Sequence, residues 1–193
     1  FLQRLCLHIL RHKKMSYSSS DNKVYGILFD GAWLWEEYLV TILCEKGFIH
    51  AVKGEGNGIK FFEDGSGAHQ RFPDFYSLEN GGIVLDAKYK NIDSGMGQRE
   101  DQFQLIAYMH TLDGGEVKGA SLGALVYPSE KERIDNRWKL KGCGGTYAVI
   151  PIVIPNSCES IKDFGVRIEE TISKIDFVKC LSNKNEVLCE ISL

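Results

Sequence analysis

No run of about 18 apolar residues occurs in the chain, so no segment reads as a transmembrane helix. Positive charge is not in surplus either. The 23 Lys and Arg against 26 Asp and Glu leave a formal net charge of −3. That balance argues against a protein that holds nucleic acid by bulk charge alone; a polyanion would have to be met by local basic patches or metal ions. None of the six cysteines, at 6, 44, 143, 158, 180 and 189, forms a Cys-x-x-Cys pair. Zinc ribbons and dithiol redox sites are thereby excluded. Scattered thiols fit a reducing cytoplasm, and a chain this long buries a core without disulfides. The glycine-rich Gly54–Gly58 stretch lacks a following Gly-Lys-Ser/Thr, so it reads as a loop rather than a phosphate cradle. The start, Phe1-Leu2-Gln3-Arg4-Leu5, has neither an initiator Met nor a signal-peptide pattern. Residues 1–22, a short helix over 1–15 and a polar linker from Ser16 to Asn22, are expected to end a larger upstream region.

What is present is ordinary globular composition, 44% apolar and 25% charged. Val24–Phe29 reads as extended. Asp30 caps a helix over 31–46 that Gly47 ends. A short strand falls at 59–62. Arg71–Leu78 and Ile83–Lys90 read as two strands of a hairpin around Glu79-Asn80-Gly81-Gly82. A helix follows over Gln98–Leu112, closed by Gly114-Gly115. Ala120–Tyr127 is an apolar strand ending at Pro128, and Thr146–Ile154 is a strand whose Pro151 places it near an edge. Ile161–Val178 is a helix, and Cys180–Leu193 a tail with alternation around Val187–Ile191. The pattern predicts an α/β fold, one mixed sheet flanked by helices, spanning residues 23–193.

Acids and a lysine interrupt the two apolar hairpin strands. Asp86 and Lys88, two apart on a strand, share a face. Such groups are costly there unless paired or bound to metal. Asp74, after Pro73, converges with Asp86 only in one register. A two-residue Asn80-Gly81 turn sets Asp74 opposite Ala87, on the wrong face. An odd-length loop, with Gly81 or Gly82 left-handed, is therefore expected to set Asp74 opposite Asp86 or Lys88. Two converging carboxylates make a hard-oxygen site suited to Mg²⁺, beside which Lys88 could orient water or stabilise phosphate charge. On the 31–46 helix, Glu36 falls in the apolar sector and Glu37 on the polar side. Glu36 is either part of the site or a structural acid held by backbone donors. Gln104 and Tyr108, four apart with Asp101 near the same side, are either site residues or an ordinary amphipathic face. Lys131, Arg133, Arg137, Lys139 and Lys141 around Trp138 could track a phosphate backbone, but the intervening Glu130, Glu132 and Asp135 favour an exposed loop or hairpin. His69-Gln70-Arg71, just ahead of the Asp74 position, is either a surface loop or a segment that could touch DNA.

Taken together, Glu36, Pro73-Asp74, Asp86-Ala87-Lys88 and Gln104-Leu105-Ile106-Ala107-Tyr108 resemble the PD-(D/E)XK nuclease superfamily, in its branch with a trailing Gln-x-x-x-Tyr. Leu34-Trp35-Glu36-Glu37-Tyr38-Leu39 is similar to the Leu-Phe-Glu-Glu-Tyr-Val helix of the McrC subunits of 5-methylcytosine restriction systems, with Trp35 where Phe is usual. Leu85-Asp86-Ala87-Lys88-Tyr89-Lys90 resembles their Asp-Thr-Lys-Trp-Lys strand. Asp101-Gln102-Phe103-Gln104-Leu105-Ile106-Ala107-Tyr108 resembles their Asp-x-x-Gln-x-x-Ala-Tyr helix, and Leu125-Val126-Tyr127-Pro128 their Leu-x-Tyr-Pro strand end. The resemblance covers about residues 25–155.

It implies a restriction-endonuclease-like fold and in-line hydrolysis of DNA phosphodiesters. Asp74 and Asp86 would bind Mg²⁺ (with Mn²⁺ able to substitute), the Ala87 carbonyl would be a third ligand, and Glu36 a further one, directly or through water. Lys88 would position the attacking water; Gln104 and Tyr108 would buttress the site or touch phosphate. It also implies an McrB-like AAA+ GTPase partner, engaged by McrC proteins through a larger N-terminal part that this sequence lacks, and leaves homodimers and hetero-oligomers open. The alternatives are a repair or recombination nuclease of the same fold and a non-catalytic scaffold that binds partners.

Overall fold

Local capping chemistry starts the first helix where the sequence places it. In the computed structural model, which describes residues 15–17, 24–26, 30–63, 69–90, 95–113, 118–130, 136–142, 144–154 and 160–173, Asp30 Oδ1 accepts from Ala32 N and Trp33 N at 3.1 and 3.2 Å. This satisfies two orphan donors of α1, Gly31–Leu43. A 3₁₀ turn over Cys44–Lys46 prolongs it, and Gly47 ends it in the left-handed region at φ +86°. Ahead of α1, β1 (Met15–Tyr17) pairs antiparallel with β2 (Val24–Gly26). That corrects the expectation of helix at Met15 and linker at Ser16 and Tyr17. The rest of the expected 1–15 helix lies outside the described residues, as do Gly114-Gly115, the end of the 161–178 helix and the 180–193 tail.

The expected Arg71–Leu78 strand is two pieces. Its first part, β5 (Gln70–Arg71), pairs with β4 (Ile59–Lys60) in a separate ribbon. Its second part, β6 (Phe75–Ser77), joins the main sheet. The break falls at Pro73, which has no N–H to give to a ladder. The main sheet has six strands in the order β3 (Ile49–His50), β6, β7 (Ile83–Ala87), β8 (Leu122–Ser129), β10 (Thr146–Val153) and β9 (Asn136–Lys139). The pairs β7–β8 and β8–β10 are parallel and the others antiparallel. Of the basic segment, Arg137, Trp138 and Lys139 lie on the edge strand β9, with Trp138 tilted over Tyr147, while Lys131 and Arg133 lie outside the described residues.

Strand alternation sorts the core onto two faces. Ile83, Leu85, Ala124, Val126, Ala148 and Ile150 pack against Trp35, Leu39 and Leu43 of α1 and Ile168 and Ile172 of α3 (Ile161–Ser173). Val84, Leu125, Tyr147 and Val149 pack against Leu105, Tyr108 and Met109 of α2 (Arg99–Thr111). Each fully buried aliphatic side chain contributes about 1.5–3 kcal/mol of transfer free energy. Gly123 lets α2 lie flush on the sheet: a Cβ there would stand 2.2 Å from Met109 Sδ. By the same alternation Asp86 points to the α2 face.

Of the two strand prolines, Pro128 departs from expectation and Pro151 follows it. β8 runs through Pro128 instead of ending there. The Val126 carbonyl accepts from Lys88 N on the β7 side, so the nitrogen of Pro128, two residues on, faces the space beyond the end of β7. No ladder bond is lost. Pro151 likewise faces the β9 side, and β9 has already ended at Asn136 opposite Val149. It marks a local edge on a strand that is second from the end of the sheet.

Candidate active site

The register that decides the site is the convergent one. Phe75, Tyr76 and Ser77 lie opposite Leu85, Val84 and Ile83. Five residues, Leu78–Gly82, connect the strands, an odd-length loop as expected. Asn80, Gly81 and Gly82 are all left-handed, at φ +53°, +78° and +79°, where glycine pays no Cβ penalty. Continuing the register sets Asp74 opposite Asp86. Asp74 itself sits in a bend after Pro73, and its Oδ2 accepts from Ala87 N at 2.6 Å. The strand pairing of β7 runs one residue past its end, with Lys88 N donating to Val126 O at 2.8 Å. The same carbonyl takes the Trp35 indole N–H at 3.3 Å, which pins α1 beside the site.

Lys88 Nζ stands 2.5 Å from Asp86 Oδ2, and Asp86 is only 2% exposed. On the α2 side, Lys88 Nζ lies 3.9 Å from Asp101 Oδ1, and Asp101 Oδ2 lies 2.5 Å from Lys90 Nζ. Lys90 also donates to Gln98 Oε1 at 3.1 Å. Asp86 Oδ2 and Asp101 Oδ2 are buried yet accept no hydrogen bond of ordinary alignment; each instead touches a lysine ammonium. The result is a partly buried row of charges, Asp74, Asp86, Lys88, Asp101, Lys90, in which the two lysines are interleaved with the acids after Asp86.

Burial raises Asp74 to about 7, helped by the nearby Asp86 and Glu36 carboxylates, while the Ala87 N–H and Lys88 pull the other way and do not prevail. Asp86 is raised too, by burial, against the pull of Lys88. For Lys88 burial favours the neutral amine, but Asp86, Asp74 and Asp101 outweigh it, so the group is raised and remains an ammonium. Burial, with Asp86 and Asp74 nearby, raises Tyr108 as well, against the Gln104 hydrogen bond. Its phenol therefore stays neutral, a donor and acceptor rather than a base.

Glu36 is positioned differently from expectation. The buried stripe of α1 is Trp35, Leu39, Ile42 and Leu43. Glu36 sits at its margin with a 35% exposed side chain, and Glu37 is half-buried too. Among the described residues, no backbone donor holds the Glu36 carboxylate. Instead His50 Nε2 lies 2.9 Å from Glu36 Oε1, and the His50 ring stacks on Phe75 at 5.3 Å. Gln104, exposed, donates to buried Tyr108 Oη at 3.1 Å. Sequence reasoning gives no role of their own to Asp101, Lys90 and His50, which stand among the candidate site residues in the structure. The first two had a signal: Lys90 continues the Asp86–Lys88 face, and Asp101 lies three residues before Gln104.

Among the described residues, no group of three or more His, Cys, Asp or Glu side chains stands ready to hold a metal ion. The set that could hold one is leaner: Asp74, Asp86 and the Ala87 carbonyl, with Glu36 set back on His50. Hard oxygens in that number suit Mg²⁺, which keeps several waters and takes one or two carboxylates. The half-buried Asp74 and the buried Asp86 carboxylates, both raised toward the neutral form, fit a cation better than they fit each other.

Sheet, helices and site together define a mixed α/β domain of restriction-endonuclease-like architecture. The family model described as McrBC 5-methylcytosine restriction system component matches residues 1–128, and the chain belongs to that family. No curated protein matches. Among solved structures, a chain from the refined half-complex of the tetradecameric assembly of Thermococcus gammatolerans McrB AAA+ hexamers with bound McrC is similar. Its TM-score is 0.53 at 12% identity, and the match covers 77% of this chain and 34% of that one. At that identity the likeness concerns the fold. No helix among the described residues is long and apolar enough to cross a membrane.

Proposed function

We propose that the chain is the Mg²⁺-dependent DNA endonuclease domain of an McrC-like subunit, of the PD-(D/E)XK type, working in the cytoplasm within a modification-dependent restriction system. One observation carries this reading: the hairpin register that brings Asp74 to Asp86, with Lys88 on the same strand face. Asp74, Asp86 and the Ala87 carbonyl would hold Mg²⁺ or Mn²⁺, and Glu36 would reach it through water. The bound ion would neutralise charge on the phosphate and the leaving oxygen. Lys88, kept as an ammonium by its acidic neighbours, would orient the attacking water and the phosphate. Tyr108, with Gln104 on its hydroxyl, would buttress the α2 side of the site.

The partner is proposed from the family and from the similar assembly, in which McrB AAA+ hexamers carry bound McrC. An McrB-like AAA+ GTPase would supply recognition and nucleotide-driven motion, since the glycine-rich stretch here has no phosphate-binding signature. Delegation of DNA grip to metal and partner also suits a net charge of −3. Calorimetric titration with Mg²⁺ tests the site. Wild type is expected to bind and Asp86→Ala to lose binding; equal binding by both would sink the assignment.

A further inference from the structure

The α2 face holds an acid that the proposed chemistry does not use. Asp101, in the first turn of α2, is 7% exposed, and its Oδ2 is met only by the Lys90 ammonium, off the axis of a hydrogen bond. Its Oδ1 lies 3.9 Å from Lys88 Nζ. Lys88 is thus suspended between two buried carboxylates, close to Asp86 and one short step from Asp101. Nothing about packing calls for a charge here, and a buried acid at this depth needs a cation. Lys90 already gives it one, so the second approach, toward Lys88, has no structural necessity.

The geometry points to Asp101 as a positioning residue that receives Lys88 when Asp86 takes up a cation. This rests on the metal-site reading above. As it stands, the Lys88 ammonium rests on one oxygen of the Asp86 carboxylate that a metal ion would share. A divalent ion on that carboxylate would repel the ammonium and weaken its hold on Asp86, and the ammonium cannot move into apolar surroundings uncompensated. Asp101 Oδ1 lies within a small side-chain rotation and offers the matching charge. Asp101 therefore does two things: it lowers the cost of clearing Asp86, and it holds Lys88 beside the ion instead of letting it swing to solvent.

The test is a double-mutant cycle read by Mg²⁺ calorimetry on the full chain, using wild type, Asp101→Asn, Lys88→Met and the double variant. Without the receiving charge, Asp101→Asn should bind Mg²⁺ about tenfold more weakly. Lys88→Met, with Asp86 already cleared, should bind more tightly than wild type. In that background Asp101→Asn should change affinity less than about twofold. Equal weakening in both backgrounds would mean only a general loss of negative charge and would overturn the proposal. Should Asp101→Asn not fold, wild-type protein with ¹³C-labelled lysine and aspartate serves. Lys88 Cε and Asp101 Cγ resonances should shift with the same Mg²⁺ midpoint. Movement of Lys88 with a static Asp101 would refute it. Absence of Mg²⁺ binding by wild type would fault the metal site itself, a separate outcome.

Discussion

Replacing Lys88 by Met keeps the aliphatic stem and removes the charge. In the folded chain this leaves Asp86, 2% exposed, beside Asp74 and Asp101 with no ammonium on its Oδ2. Stranding one partner of a buried pair costs about 3–5 kcal/mol when the remaining group stays ionised. For a domain of this length each kcal/mol moves Tm by about 2–4 °C, so the metal-free variant should melt roughly 6–20 °C below wild type at pH 8. The loss is bounded, because Asp86 escapes by taking a proton. A carboxyl raised in the folded state contributes stability while both states are protonated. That contribution is lost as pH rises from the ordinary carboxylate range through the folded value. Losing Lys88 raises Asp86 further, so the deficit should shrink at pH 5 and grow toward pH 8. Mg²⁺ should then restore more stability to Lys88→Met than to wild type, since the ion replaces the missing charge. Scanning calorimetry across pH 5–8, with and without Mg²⁺, measures all three effects. A variant that melts with wild type at pH 8, with no pH dependence of the difference, would refute the charge row.

Three further outcomes follow from named residues. Asp74, raised to about 7, must give up its proton to hold a metal, so Mg²⁺ affinity should rise as pH passes from 6 to 8, and calorimetry in buffers of different ionisation enthalpy should register proton release on binding; buffer-independent heats at pH 6.5 would contradict it. Gly123→Val should cost about 1–3 kcal/mol by overpacking, because even the Cβ would stand 2.2 Å from Met109 Sδ, whereas Gly123→Ala should cost less as the flexible Met109 side chain gives way; denaturant melts of the two decide, and equal losses would mean that α2 does not rest on that strand. Leu39→Ala, at a fully buried position of α1, should lose about 2–5 kcal/mol with Mg²⁺ affinity unchanged below the melt, which separates core from site; a parallel loss of affinity would tie the two together.

The features that were legible in the sequence are those set by local chemistry. Asp30 and Gly47 bracket α1 because caps act within a few residues. The odd-length hairpin followed from requiring Asp74 and Asp86 on one face, and Gly81 and Gly82 supplied the left-handed turn. What stayed hidden depends on neighbours distant in sequence. Pro128 reads as a strand end by itself, yet it is tolerated because β7 has already stopped alongside it. Glu36 reads as an inward acid on a helical wheel, but the stripe is centred on Trp35 and Leu39, and His50 from β3 is what holds Glu36. Asp101 reads as one polar residue on an amphipathic helix; only the docking of α2 on the sheet reveals Lys88 and Lys90 beneath it. The separation of β5 from β6 turned on Pro73, visible in the sequence but read there as part of a continuous strand.

The central claim is that Asp74, Asp86 and Lys88 form a metal-dependent DNA-cleaving site. Nicking and linearisation of methylated plasmid DNA tests it most directly, with the chain supplied alongside an McrB-like AAA+ partner and GTP. Cleavage should proceed with Mg²⁺ or Mn²⁺ and disappear with EDTA. It should also fall at least about 100-fold in Asp86→Asn, the scale on which metal-borne charge stabilisation acts, while folded protein is retained. Cleavage that survives Asp86→Asn, or that proceeds at full rate in EDTA, would contradict it.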